Sequence, residues 1–464
     1  MLAATFAAYA RDATAALERN WYANAAWREC RGAPCRVRDS DWGADALTAT
    51  LALRRSSAND ATTLGPLRAL LGGLPRYGAP CVAAPCAGWS DVPLWDAVAA
   101  LQAAAATRSR ATGVGVALAA FAQVDATRVY AGGACPEIDY QQAFGGTNRL
   151  KTLETDANYV RAALLLHRAT GGARFLEKAR ARYAAIRRWF FEPASGLYTA
   201  YLFDDGTACR PLPRRTFASV NGAMIWNGLE LARATGAAGY REQALGTARA
   251  IAAHLVDGAG VFADVQAEND VVEPLVEAML RVAREERAGF AREWILRNAA
   301  AARRARRSDG DYGRFFDGPP PANATTAWQV NGGFALEIAA AALAPQAAPP
   351  LRRRDVWVRE AGFVLGARPR RLSFTGFAVA LYGTLGERCC EAGHARVLVD
   401  GVETFDRTGI WQNKSSASRP LPDALLFAWR WRTFGRHLIT LLPGTYDAKE
   451  GGAFLHVASV AYSR

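Results

Sequence analysis

Residues 161–186 read RAALLLHRATGGARFLEKARARYAAI. Apolar residues recur at spacings of three and four on both sides of Gly171-Gly172, which is the pattern of two amphipathic helices. Between them the chain stops at HRATG (167–171), and the stop returns as ARATG at 232–236. A glycine just past the last helical turn takes left-handed backbone at little cost and lets a short loop turn the chain back. The unit is an antiparallel helical hairpin, and its recurrence predicts concentric hairpins in an (α/α)6 toroid.

The same periodicity predicts helices near 2–20, 41–56, 92–107, 112–123, 151–170, 174–191, 216–236, 240–256, 271–285, 287–304 and 326–344. PLRRRD (350–355) ends this regime. Beyond it, RRLSFTGFAVALYGTL (370–385), HARVLVDGVETFD (394–406), RHLITLLPGT (436–445) and FLHVASVAYS (454–463) alternate with a period of two. Val399-Asp400-Gly401-Val402 reads as a tight hairpin turn. The expected fold class is therefore mostly α: a six-hairpin toroid over 1–347, then a small all-β sandwich over 354–464.

The totals limit the function. Hydrophobic residues make up 51% of the 464, ample for a packed core. No uninterrupted apolar run reaches the roughly 18 residues of a membrane-spanning helix. The net charge is +13, but the arginines are scattered along the chain, so no nucleic-acid partner is expected. The start, MLAATFAAYARD, has no basic leader region and runs straight into a helix pattern, so it reads as mature sequence. Among eight cysteines, Cys30/Cys35 and Cys81/Cys86 sit in loops without nearby histidines. That argues against zinc and for disulfides, hence a secreted or extracellular setting. The sequons at Asn323 and Asn413 agree with it. No cofactor and no metal is expected, and a monomer is favoured.

There is no Gly-X-Ser-X-Gly elbow, phosphate loop or HExxH motif, and the five histidines are poorly placed for catalysis. Acids and aromatics instead gather where the hairpins should connect. Aromatic faces stack on sugar rings, carboxylates bind hydroxyls, and two acids can cleave a glycosidic bond. The catalytic candidates are Asp91, Asp96, Asp205, Glu268 and Asp270. The sugar-binding candidates are Trp42, Trp89, Trp95, Asn148, Asp156, Asp204, Asn221, Arg314 and Gln329. Local structure competes with each of these readings. Asp91 before Pro93 suits a helix cap, Asp204-Asp205-Gly206 suits a turn, and Asn221 and Gln329 suit helix starts. Glu268-Asn269-Asp270 suits a cap for the helix from Val271, with Glu273 at the capping-box position. Asp96 lies five helical positions after Asp91, a rotation of about 140°, so the two should not share a face.

Several stretches together resemble glycoside hydrolase family 76, the endo-α-1,6-mannanases. They are NWYANAAW (20–27), DWGADALTATLAL (41–53), SDVPLWDAVAALQAAAAT (90–107), TNRLKTLETDANYVRAALLLHRATG (147–171), FASVNGAMIWNGLELARATG (217–236) and DYGRFFDGPPPANATTAWQVNGGFAL (311–336). The resemblance covers residues 10–345. It implies a six-hairpin fold, a polysaccharide or oligosaccharide substrate, and two adjacent aspartates acting as nucleophile and acid/base. Counting back from Trp95, Asp91 takes the first place of that pair and Val92 stands in the second. Three readings stay open: a mannanase-like hydrolase or transglycosidase, a carbohydrate-binding pseudoenzyme, and a polysaccharide lyase using Tyr140 or Tyr312 with Arg214. The β-domain resembles galactose-binding-like sandwiches, with Trp411, Trp429 and Trp431 as a sugar platform.

Overall fold

The computed structural model describes residues 5–31, 37–38, 42–77, 89–127, 132–141, 149–212, 216–257, 259–262, 271–313, 316, 322, 325–344, 356–385, 395–403, 421–443 and 455–463. Twelve α-helices form among these: α1 Phe6–Trp21, α2 Trp42–Ala58, α3 Leu64–Gly73, α4 Val92–Thr107, α5 Arg110–Thr127, α6 Leu153–Thr170, α7 Ala173–Phe190, α8 Ala218–Thr235, α9 Ala238–His254, α10 Glu273–Glu285, α11 Gly289–Ala305 and α12 Ala327–Leu343. Eleven correspond to the expected segments. The twelfth, α3 (LGPLRALLGG), is short and carries glycines and a proline, which hide its apolar stripe of Leu67, Leu70 and Leu71.

Helices α2, α4, α6, α8, α10 and α12 each pack on the next, and α12 closes on α2. The outer helices lie against this ring: α1 on α12, α3 and α5 on α4, α7 on α6, α9 on α8, and α11 on α10 and α12. All six inner helices therefore run in one direction and start at one end of the toroid. At the far end the chain turns back in a few residues. Gly171 (φ 75°) and Gly236 (φ 73°) take the left-handed conformation there, as the RATG stops require, and their N–H groups bond to His167 O and Ala232 O. Arg108 (φ 60°) and Arg287 (φ 53°) hold the same conformation at two other turns. The long connections into the inner helices have their described residues, such as 22–31, 132–141, 191–212 and 306–313, at the end where those helices start, here called the mouth.

Small residues let the ring close. A Cβ on Gly222 of α8 would come within 2.4 Å of Leu275 N in α10, and one on Gly43 of α2 within 2.8 Å of Ala327 Cβ in α12. Among the described residues no helix is long and apolar enough to cross a membrane.

The C-terminal region is one antiparallel sheet of β1 Trp357–Leu365, β2 Arg370–Leu385, β3 Ala395–Val399, β4 Val402–Glu403, β5 Leu421–Pro443 and β6 Leu455–Ser463, ordered β1-β6-β2-β5-β3-β4. Strand β1 was not expected, and β5 begins well before 436. The turn at 400–401 has positive φ at both residues (51° and 84°), as an Asp-Gly hairpin demands. The register of β2 on β5 shifts between Gly376 and Ala378. One apolar cluster, including Val379, Leu381, Val397, Ile439, Leu441 and Val457, joins both sides of that shift.

The sheet rests on the mouth end of the toroid. Ala322 packs with Ala380, Tyr382 and Leu425, and Cys30 joins the main sheet cluster. Arg430 Nε donates to Asp257 Oδ2 at 3.0 Å, with both side chains nearly buried. Cys30, Asp257 and Ala322 all belong to connections that lead into inner helices. Cys135 is disulfide-bonded to Cys209, and among the described residues no cysteine is free. Cys35, Cys81, Cys86, Cys389 and Cys390 lie outside the described residues.

Two glycine substitutions should separate backbone strain from ring closure. Gly171→Ala meets open space and should lose about 1 kcal/mol, from left-handed backbone alone. Gly222→Ala must push α8 off α10 and should lose more, about 2–3 kcal/mol, with urea denaturation as the measure.

Candidate active site

The mouth is built from the first turns of the inner helices. Trp42 opens α2, Trp95 lies one turn into α4, Trp328 is the second residue of α12, and Val271 comes just before α10. With Ala46 they form one apolar cluster. Trp42 and Trp328 have ring centroids 5.9 Å apart.

Asp91 stands at the edge of this cluster, in the N-cap position of α4, with no side-chain capping bond. The helix start is set instead by Pro93 and by the Asp91 carbonyl, which accepts from Leu94 N and Trp95 N. The carboxyl is left for other work. Its Oδ2 accepts from Trp42 Nε1, and its Oδ1 is buried with no hydrogen-bond partner. Asp91 is 1% exposed. Burial raises its pKa to about 6, against hydrogen bonds that favour the charged form. The group can therefore hold a proton near neutral pH and present it to the aromatic box, as a general acid must. Its neighbours along the chain are occupied differently. Ser90 Oγ bonds to Gln141 O and Thr155 Oγ1, pinning α4 to α6, and Val92 is apolar.

The remaining candidates separate clearly. Asp96 is fully buried and accepts from the Tyr77 hydroxyl after α3. Asp45 of α2 lies near the same tyrosine, whose pKa is pushed far up, first by burial and then by Asp96 and Asp45. Asp156 is fully buried and accepts from Arg182 and from Asp139 N at 3.1 Å, which fixes segment 132–141 to α6 and α7. Asp204 accepts from Gly206 N at 2.8 Å, Tyr140 Oη at 2.8 Å and Ala134 N at 3.2 Å. Asp205 makes a turn, accepting from Thr207 N, Thr207 Oγ1 and Ala208 N; these bonds lower its pKa to about 2, so it has no proton to give. Asn221 is occupied by Tyr198 N, Tyr198 O and Phe217 O, each at 3.0 Å. Gln329 accepts from Thr326 N at 3.2 Å, while its Nε2 is buried without a partner beside Trp328. Trp89 is half-buried next to Ser90. Glu268, Asp270, Asn148 and Arg314 lie outside the described residues, as do Arg214 and Trp411.

Glu273 is the acid the sequence pattern undervalued. It is the first residue of α10, before Pro274, and is fully buried. The cap of α10 comes from another helix: Asn331 Oδ1 accepts from Val272 N and Glu273 N, both at 2.9 Å. The Glu273 carboxyl, with Oε1 unpartnered, is pushed well up by burial and by Glu277, with Arg161 opposing. The Glu-Pro pair marks a helix start in sequence, but its position two residues past Val271 of the aromatic box is visible only in three dimensions.

A lyase base would need a tyrosine poised to ionise. Tyr140 is raised to about 12, first by burial and then by Asp204. Tyr312 is raised well above the usual range by burial, and donates to Glu337 at 3.1 Å. Neither suits that role. In the sheet, Trp431 stacks on His437 at 3.9 Å and donates to Asp400, so one ring face is already covered. Cys135, Asp204 and Cys209 are grouped within metal-binding distance, but both sulfurs are taken by the disulfide.

No protein-family model matches this chain, and no curated protein matches it. Solved structures do. An inactive variant of the α-1,6-mannanase of Salegentibacter sp. HEL1_6, with two consecutive aspartates replaced by alanine and α-1,6-mannotetrose bound, is 19% identical with a TM-score of 0.60, covering 73% of this chain and all of that one. The helical domain has the fold of the family 76 glycoside hydrolases. An α-mannanase of that family from Bacteroides thetaiotaomicron is 14% identical with a TM-score of 0.58, over 73% of this chain and 95% of that one. The unsaturated glucuronyl hydrolase of Bacillus sp. GL1 is 16% identical with a TM-score of 0.50, over 74% of this chain and 98% of that one.

Two outcomes follow from the charges in this family-76-like fold. Folded Asp91 holds its proton more tightly than the unfolded chain does. Its contribution to stability is therefore complete below pH 4 and is lost as pH rises through about 6. Asp91→Asn cannot ionise, so thermal denaturation should show it equal to wild type at pH 4 and more stable at pH 8, by on the order of 2 kcal/mol. Arg182→Ala leaves Asp139 and Asp156 buried without their cation and should cost about 3–5 kcal/mol in urea.

Proposed function

We propose that the chain is a glycoside hydrolase acting on an α-mannan-type polysaccharide, with Asp91 as proton donor to the leaving sugar oxygen. One observation carries this reading: Asp91 caps nothing, is held on one oxygen by Trp42, keeps the other oxygen unpartnered beside a tryptophan box, and is raised to about 6 by burial. Trp42, half-buried against the packed rings of Trp95 and Trp328, offers a ring face for sugar, and the unpartnered Nε2 of Gln329 is a donor for a hydroxyl. The fold match to mannanases, one of them seen as two inactive variants with mannose oligosaccharides bound, supports this substrate class. The second carboxylate is assigned to Glu268 or Asp270, the acids directly before Val271, with Glu273 as the buried alternative. The disulfide fits a secreted enzyme.

The test is turnover of α-1,6-mannan and its oligosaccharides by wild type, Asp91→Asn, Glu268→Gln, Asp270→Asn and Glu273→Gln. Asp91→Asn should lose a factor of about 10²–10⁴ with oligosaccharide binding retained. Wild-type kcat should fall as pH rises through about 6. Product NMR then reports the anomer: retention requires a partner carboxyl about 5.5 Å away, inversion one at about 6.5–9.5 Å. Full activity in Asp91→Asn would end the assignment.

A second reading, a carbohydrate-binding protein without turnover, is favoured by the residues flanking Asp91. Ser90 and Val92 stand there, whereas the inactive mannanase variant was made by replacing two consecutive aspartates. Equal glycan binding by wild type and Asp91→Asn, with no product from either, would select it.

A further inference from the structure

The barrel opens a second time, at the end where the inner helices finish. Two adjoining cavities of about 340 and 350 Å³ share Ala105, Arg108 and Arg168. The first runs inward along α2 and α4. Its walls include Ala49, Ala52, Ala105 and Ala106, too small to fill the axis, and its inner end is Gln102 and Glu277. Its rim carries Arg55, Arg108, Arg168 and Asn59, and the second cavity adds Arg110.

The charge here is unbalanced. Four arginines face one carboxylate, Glu277, which already accepts from Arg161 and from Gln102 Nε2. Arg168 reaches Glu230 only at 3.9 Å, and Glu230 is already bonded by Arg233 and Arg281. Arginines at helix C-termini complement the helix dipole, and Arg110, donating to Ala169 O, is of that kind. That account does not reach the interior. Gln102 and Arg55 both line the first cavity, and their Oε1 and Nε atoms are buried with no hydrogen-bond partner. Buried polar atoms are normally paired, and two bare ones in one cavity, an acceptor deep and a donor at the rim, describe the partner they lack.

We propose that this rear cavity binds a monosaccharide carrying one anionic group, a sugar phosphate or sugar acid. A hydroxyl donates to Gln102 Oε1, and the oxyanion accepts from Arg55 Nε and from the guanidinium groups of Arg108 and Arg168. Guanidinium suits such oxygens because its N–H groups match them in pairs. The volume is that of a small-ligand pocket. The site lies at the opposite end of the inner helices from Asp91 and does not depend on the proposed hydrolysis.

The experiment is calorimetric titration of mannose 6-phosphate, glucuronate, mannose and inorganic phosphate into the full chain. The variants are Arg108→Gly, Ala105→Trp and Asp91→Asn. Arg108 sits at φ 60°, so glycine removes the guanidinium while suiting the backbone, and loss of folding is not a concern. Ala105→Trp fills the cavity from an exposed position. One or both sugar anions should bind wild type and Asp91→Asn alike at 1:1, and at least tenfold more weakly to the other two variants. Which of the two binds assigns phosphate or carboxylate. Mannose should give no heat, and inorganic phosphate should bind at least tenfold more weakly than the sugar anion. Equal binding of inorganic phosphate would overturn the hydroxyl contact. Binding lost in Asp91→Asn but kept in Arg108→Gly would move the ligand to the mouth and overturn the site. No heat from either anion at millimolar concentration would mean a solvent-filled vestibule and end the proposal.

Discussion

Arg161 of α6 reaches across the barrel axis to Glu277 of α10, two places round the ring, and Gln102 of α4 donates to the same carboxylate oxygen. Three inner helices meet at this point, the adjoining α4 and α6 and the more distant α10. Arg161 is almost wholly buried, with Trp226 5.1 Å beneath it. Such a pair is expensive to assemble in a low dielectric and more expensive to break, because each partner alone would be an unpaired charge. The contact acts as a plug. On one side lie Glu273, Asp91 and the tryptophan box; on the other lies the arginine-rimmed cavity.

That division explains how one acid can be raised while others stay charged. Asp91 is removed from water beside apolar rings, so desolvation decides its protonation. Asp204 is buried as well, but it is surrounded by the donors Gly206 N, Tyr140 Oη and Ala134 N, which hold its carboxyl below the usual carboxylate range, while Asp156 is paired with Arg182. Buried aspartates in one protein thus serve different ends according to what faces each oxygen.

The hairpins were legible because the determinant is local. A glycine at Gly171 or Gly236 announces itself, and so does the Asp-Gly turn at 400–401. Helix α3 escaped because its glycines and proline mask a short stripe. The site was half legible. Asp91 and the 140° separation from Asp96 follow from position along one helix. The capping reading failed because the Trp42 indole, from another hairpin, takes the carboxyl. Asn331 capping α10 rests on a contact between helices far apart in sequence. The buried roles of Asp156 and Asn221 likewise depend on Arg182 and Tyr198, which no spacing rule connects to them.

The ring itself is indifferent to what happens at its mouth. The turns at the rear are only a few residues long and rest on left-handed backbone, so their length has little freedom to vary. The connections into the inner helices run to twenty residues or so and carry the β-domain, the disulfide and the residues around Asp91. Descendants of such a chain could lengthen, shorten or exchange those connections one at a time, acquiring new specificities while inheriting an unaltered barrel. The division of labour between the two ends makes the architecture readily adaptable through evolution.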